Sequence, residues 1–230
     1  MYENLLRLPY FQGMSKNELT TIIEKVKLDF TRHKNGERIL SQGDKCEKFV
    51  ILLSGSIESE RISSDESYIL REMLTPPHAI EPYSLFGARP EYSRTYYSKG
   101  ECNTLSFDKS FYYSQLSKYN IFSINMLNLI SLKAQAMNNT AWQEAPQSIE
   151  GRIARFIALR CEVPTGCKRL TIKMERLAQV LGETRLNISR TLNSLQNRGL
   201  VELSRKEIFI PSFERLSAAT ADTHIYEYAE

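Results

Sequence analysis

The chain has 230 residues, 42% of them hydrophobic and 25% charged, and 30 Lys plus Arg against 27 Asp plus Glu give a formal net charge of +3. This is an ordinary soluble globular composition with room for two small domains and a core that needs no staples. No apolar run approaches the ~20 residues that cross a bilayer, the opening MYENLLRLPYF lacks a targeting layout, and Cys46, Cys102, Cys161 and Cys167 are scattered, so free thiols in a reducing cytoplasm are expected.

Residues from about 3 to 27 read as short helices, one of them capped by Ser15 with Glu18 completing a capping box. From Phe30 to Phe107 short apolar runs alternate with turn residues at Lys34-Asn35-Gly36, Gln42-Gly43-Asp44 and Ser54-Gly55. Many short strands at close spacing predict an antiparallel barrel or jelly roll. Asp108 reads as a helix cap. A longer helix is predicted from about Asn120 to Gln143, ended by Pro146. Within it Leu127, Ile130, Ala134, Met137 and Ala141 step by three and four, the spacing of a coiled-coil seam. The alternative is a helix packed on its own barrel.

Beyond Pro146 the composition turns basic. Gln147 to Leu216 hold 13 Lys or Arg and 7 Asp or Glu, net +6, which leaves the remainder at 17 against 20, net −3. Such a segment suits nucleic acid, or is simply a solvated basic surface. A helix from about Ser148 places Ile149, Ile153, Phe156 and Ile157 on one face, with Arg152 and Arg155 beside it. Thr165-Gly166 makes a turn. Met174–Leu181 reads as a short helix ended by Gly182, and Glu183 or Thr184 caps a second helix running to about Asn197.

Ala178, Gly182 and Ile188 stand where a helix-turn-helix needs a small residue, a left-handed turn and an apolar contact. Ile188, Leu192 and Leu195 form the buried stripe. At 100° per residue, Arg185, Leu186, Ser189, Arg190 and Asn193 share the opposite face. Arginines near the start of such a helix suit guanine O6 and N7, and Thr184 and Asn187 suit phosphate. Leu200–Leu203 and Ile208–Ile210 read as strands around Ser204-Arg205-Lys206-Glu207, a winged hairpin with a basic tip. A helical hairpin that binds another protein is the alternative.

Taken together, KNGERILSQGDKCEKFVILLSGSIES, EGRIARFI and LAQVLGETRLNISRTLNSLQNRGLVEL resemble the barrel signature, the opening helix and the helix-turn-helix of the cyclic-AMP receptor protein/FNR (Crp/Fnr) family of transcription regulators, over about residues 5 to 216. The resemblance implies an α+β chain in four parts. These are an effector-sensing, cyclic-nucleotide-binding-like β-barrel or jelly roll at 1–117, a dimerisation helix at 118–145, a winged helix-turn-helix at 146–217 and a tail at 218–230. It implies a homodimer on a two-fold site in double-stranded DNA, with RNA polymerase as a further partner and no membrane. Thr184, Arg185, Leu186, Asn187, Ser189, Arg190, Arg205 and Lys206 would meet DNA.

The departures bear on the effector. Cyclic-AMP binders of the family carry Gly-Glu and then Arg-Ser in a phosphate cassette; here IEPYSLF and EYSRTYY stand instead, and Glu81-Pro82 replaces Gly-Glu. The Thr-Ser that meets adenine falls at Met137-Asn138. Tyr83, Ser84, Leu85, Arg94, Thr95, Met137 and Asn138 are therefore candidate effector contacts, with an effector other than cyclic AMP expected. Tyr83, Phe86, Tyr92, Tyr96 and Tyr97 are read as exterior packing, with an altered pocket as the alternative.

No resident cofactor or metal is expected. No cysteine cluster for iron–sulfur chemistry precedes Cys46, and His33, His78 and His224 are few, spread and expected at the surface. No phosphate-binding glycine loop, HExxH, nucleophile elbow or Cys-x-x-Cys is present, so an enzyme is not expected. A small-molecule module with a vestigial DNA reader and a cyclic-nucleotide-gated regulator are the other readings. Where the family's cyclic-AMP receptor has glutamate after the first recognition arginine, this chain has Leu186.

Overall fold

The computed structural model describes residues 5–25 and 28–220. The side chain of Ala141 and the tail after 220, His224 included, lie outside the described residues. The chain divides into two compact units, residues 1–58 with 74–143, and residues 59–73 with 144–230.

In the first unit a 3-10 turn at Pro9–Phe11 precedes helix α1 (Lys16–Lys25). The Glu18 N–H donates to Ser15 Oγ at 3.2 Å and the Ser15 N–H donates to Glu18 Oε2 at 2.8 Å, which closes the capping box. The same donors, backbone first, hold the Glu18 carboxyl below its ordinary range.

Strands β1 (Asp29–His33), β2 (Arg38–Leu40), β3 (Lys48–Ile62), β4 (Tyr68–Leu74), β5 (His78–Ile80) and β6 (Thr95–Asp108) follow. β6 pairs antiparallel with β1 and β2, and β3 pairs antiparallel with β5. Period-two alternation gives β6 two faces. Leu105 and Phe107 line one side with Leu5, Leu19 and Ile22 of the N-terminal segment; Thr104 and Ser106 line a cavity with residues of β1 and β3 on the other. Gly55 has φ 80°, and a Cβ there would lie 2.3 Å from the Glu101 carbonyl oxygen and 2.7 Å from Cys102. No turn forms at Ser54-Gly55, contrary to the sequence pattern: both residues lie inside β3, and what requires glycine is the close approach of β3 to β6.

Asp108 occupies the cap position before α2 (Lys109–Ser114), yet its side chain makes no capping bond. Helix α3 (Asn120–Trp142) ends within a residue of its predicted limit. It buries Phe122 and Met126, with the Phe122 ring 5.2 Å from that of Phe11. The seam residues lie on a face beside that stripe, and Leu127, Ile130 and Met137 stand 64%, 39% and 68% exposed.

The second unit contains α4 (Ile149–Ala158), β7 (Lys168–Ile172), α5 (Met174–Leu181), α6 (Arg185–Asn197), β8 (Glu202–Ser204), β9 (Glu207–Ile210) and α7 (Phe213–Thr220). Ser148 caps α4, its Oγ accepting from the Gly151 N–H at 3.0 Å. Ile153, Phe156 and Ile157 then pack with Leu177, Ile188, Leu192, Leu195, Phe213 and Leu216 in one core.

Two features of this unit differ from the sequence reading. β7 pairs with β9 on one side and with β4 on the other, Leu70 opposite Leu170, so the segment 59–73 assigned to the barrel belongs to this unit. Glu72 is buried there, accepting from Lys168 Nζ at 2.9 Å and from the Glu162 N–H at 2.7 Å. α7 also crosses the expected boundary at 217, because Phe213, Leu216 and Thr220 are buried.

Candidate functional site

The two helices of the predicted reader meet at a turn built by backbone chemistry. Gly182 adopts φ 65° and ψ 37°, and the Glu183 N–H donates back to Ala178 O at 2.9 Å, closing α5. Thr184 is the cap of α6, its Oγ1 accepting from the Asn187 N–H at 3.2 Å. Arg152 of α4 donates to Leu181 O at 2.9 Å and pairs with Glu183. The Asn187 side chain donates to Glu183 Oε2 at 3.1 Å. These bonds, Asn187 first and then Arg152, hold the Glu183 carboxyl below its ordinary range. Arg152 therefore ties α4 to the end of α5 and to the turn, and Asn187 ties the start of α6 to Glu183, roles the sequence pattern did not give to either.

The buried face of α6 is Ile188, Leu192 and Leu195, each fully buried, against Leu177 and Ala178. The opposite face carries Arg185, Leu186, Arg190 and Asn193 exposed and Ser189 half-buried. Leu186 is 58% exposed. Arg185 Nε lies 3.3 Å from Glu175 Oε1, with both side chains mostly in water. Such a pair contributes little and leaves the guanidinium available.

β8 and β9 pair as Glu202 with Phe209 and Ser204 with Glu207, leaving Arg205 and Lys206 as an exposed two-residue tip. Lys206 is left-handed at φ 65°, and its carbonyl accepts from the Ile172 N–H at 2.9 Å, which seats the tip on β7. A cleft of about 290 Å³ separates wing from recognition helix, lined among others by Lys173, Met174, Arg185, Ser204 and Lys206. The arrangement presents a narrow helix face between two sources of positive charge, a shape that can enter a DNA groove while the wing touches phosphate.

The candidate effector residues differ in exposure. Ser84 and Leu85 are buried at the end of a 3-10 turn, Pro82–Ser84, and Arg94 is buried beside β6. Thr95 Oγ1 accepts from the Gln42 N–H at 3.0 Å, so it serves a turn. Lys133 of α3 sits 3.4 Å over the Tyr83 ring, while Met137 and Asn138 are exposed further along that helix.

The polar centre is Glu81, which is fully buried. Its carboxylate accepts from the Ser93 N–H at 2.8 Å, Ser93 Oγ at 3.0 Å, Ser84 Oγ at 2.9 Å and Tyr96 Oη at 2.9 Å. Ser93 and Tyr96 thus face the segment that replaces Gly-Glu. Of the aromatics read as exterior packing, Tyr96 and Tyr92 are buried instead, Tyr92 donating to Lys48 O at 3.1 Å. A cavity of about 310 Å³ is lined by Thr31, His33, Lys48, Tyr92, Thr104 and Ser106, among others. His33 is likewise buried, contrary to its expected surface position, with Glu37 and Thr104 each 2.9 Å from a ring nitrogen. Among the described residues no group of three or more His, Cys, Asp or Glu could hold a metal. No described helix is long and apolar enough to cross a membrane.

Comparison with known proteins matches both units. Residues 30–119 fit the model of the cyclic nucleotide-binding domain, and residues 151–219 that of the Crp-like helix-turn-helix domain. A CRP-like cAMP-activated global transcriptional regulator of Mycobacterium tuberculosis is 24% identical over 224 residues, covering 94% of this chain and 98% of that protein. Among solved structures, the catabolite activator protein of Thermus thermophilus is similar at 18% identity and a TM-score of 0.47, covering 93% of this chain and 100% of that one. DNR from Pseudomonas aeruginosa is similar at 19% identity and a TM-score of 0.45, covering 94% and 96%.

Proposed function

The chain belongs to the Crp/Fnr family of transcription regulators, with a cyclic nucleotide-binding domain and a Crp-like helix-turn-helix, and we propose that it acts in the reducing cytoplasm as a homodimer on a two-fold DNA site. The observation that carries this reading is the exposed face of α6. Arg185, Leu186 and Arg190 project from a helix whose other side is locked in the core, with the Arg205–Lys206 tip beside it. Phosphate contacts from the wing and from Thr184 position the helix, and the two arginines read guanine. The exposed seam of α3 supports pairing of two copies along that helix, which presents two recognition helices to two half-sites. Regulation would then act through RNA polymerase at the bound site.

The effector differs from cyclic AMP, because Pro82 has no N–H to offer a phosphate and Glu81 brings a negative charge to the same segment. The test is selection of bound sites from a random DNA pool, with calorimetry of the full chain against cyclic AMP. A guanine-containing inverted repeat and no heat with cyclic AMP are expected. Recovery of no preferred sequence would overturn the DNA reading, and micromolar binding of cyclic AMP would overturn the effector reading.

A further inference from the structure

Glu81 combines three properties that rarely coincide. Its side chain is completely buried, its backbone is left-handed at φ 38° and ψ 51°, and its carboxylate collects four donors. Non-glycine residues avoid that backbone region, and a glycine would occupy it without strain. A buried carboxylate is costly unless its oxygens are satisfied, and here the donors come from the 3-10 turn (Ser84), the segment before β6 (Ser93) and β6 itself (Tyr96). They converge from separate stretches of chain on one point inside the segment that matches the cyclic nucleotide-binding domain. A backbone N–H joined by hydroxyl donors is the chemistry that binds any small oxyanion.

We propose that Glu81 is a built-in ligand: its carboxylate fills an oxyanion site of the barrel, so the barrel stays in its ligand-filled state without an external phosphate or carboxylate. The inference rests on the reading of the chain as a DNA-binding regulator only for its consequence, DNA binding that needs no added anion. The site itself stands on the geometry around Glu81.

Glu81→Gly tests it. The substitution suits the backbone, removes the carboxylate and takes an acceptor from four donors, two on buried Ser84 and Tyr96 and two on half-buried Ser93. The full chain is melted in acetate, inorganic phosphate or cyclic AMP, each against chloride at equal ionic strength, and DNA affinity is read by fluorescence anisotropy on a selected site. The unmodified protein should respond to none of these anions by either measure. Glu81→Gly should melt lower, rise saturably by about 3–6 °C at about tenfold the dissociation constant of an anion that enters, and bind DNA at least tenfold more weakly until that anion is added. Rescue by acetate and phosphate assigns a general oxyanion site, and rescue by cyclic AMP alone assigns a nucleotide phosphate site; either supports the proposal.

A Glu81→Gly protein that melts and binds DNA as the parent does, or that ignores all three anions, overturns it, as does stabilisation of the parent by cyclic AMP. If Glu81→Gly does not fold in any of these salts, Tyr96→Phe removes one donor and keeps the ring. A several-fold loss of DNA affinity is expected there, and full parental affinity overturns the proposal. Anion-dependent melting of Glu81→Gly with no DNA binding by the parent leaves the site standing and the regulator reading fallen. DNA binding by the parent with an anion-blind variant does the reverse.

Discussion

At the scale of single residues, Leu186 would set what the proposed recognition helix can read. It lies about 180° from Leu195 around the helix and is 58% exposed, so the core of the unit does not need it. A leucine facing the major groove accepts no hydrogen bond. It can contact a thymine methyl, and it leaves a cytosine amino group unpaired. A half-site is therefore expected to keep the guanines read by Arg185 and Arg190 and to prefer thymine, or nothing, at the position between them. Leu186→Glu should introduce a cytosine preference there of about 1–3 kcal/mol per half-site, measured by site selection on both proteins. The same selected half-site for both would remove Leu186 from the base-reading face. Asn187 teaches a complementary lesson. Its position near the helix start suits a phosphate contact, but its amide already donates to Glu183 at 3.1 Å. Only the fold reveals that competing partner.

At the scale of elements, what is local in sequence is legible and what depends on distant pairing is not. α5, Gly182 and α6 can be read to within a residue, because cap, turn and apolar stripe all lie within a few residues of one another. β7 escapes the same reading. Its five residues gain their meaning from β4 and β9, about 100 residues before and 40 after. The segment 59–73 reads as barrel because its alternation says strand and nothing says against what. In the fold it is held by Arg176, whose guanidinium reaches Asp65 Oδ2 at 2.5 Å and Ser67 Oγ at 2.9 Å, and by the Glu72–Lys168 pair. Both side chains of that pair are fully buried, so removing one strands the other. Lys168→Met alone should cost about 3–5 kcal/mol in chemical denaturation, and adding Glu72→Gln should recover part of it. Equal losses in the single and double variants would show that the ion pair is not the cause. The wing is an element whose role can be isolated as well. Arg205 and Lys206 together should act on phosphate, so replacing both with Ser should weaken all DNA sites alike and flatten the salt dependence by up to about two units of slope. A changed sequence preference at unchanged affinity would contradict that role.

At the scale of the whole molecule, charge and apolar exposure point to the same assembly. The stretch from Gln147 to Leu216 carries 13 basic and 7 acidic residues, while the remainder is mildly acidic. A single copy with that modest excess gains a limited number of phosphate contacts, and affinity for a specific site grows when two copies bind together. On the proposed reading α3 would supply the means. After Met126 its apolar residues are buried less: Leu129 is half-buried, and Leu127, Ile130, Leu132 and Met137 are exposed. A helix left apolar on an exposed face is unfavourable in water unless something covers it, and the three-four stepping from Leu127 to Met137 is the spacing at which a second copy of the same helix fits. Changing Leu127 and Ile130 together to Lys should place like charges across that seam. The mass by light scattering should fall from two chains to one, while the melting temperature of each chain stays close to the parent's, since neither residue belongs to the buried core. DNA affinity should fall by about 100-fold or more, as two linked contacts become one, and the salt dependence should drop to about half its slope because half the phosphates are met. A variant that remains dimeric would move the interface off this helix; one that is monomeric yet binds the full site as tightly as the parent would show that pairing along α3 is not what joins the two readers.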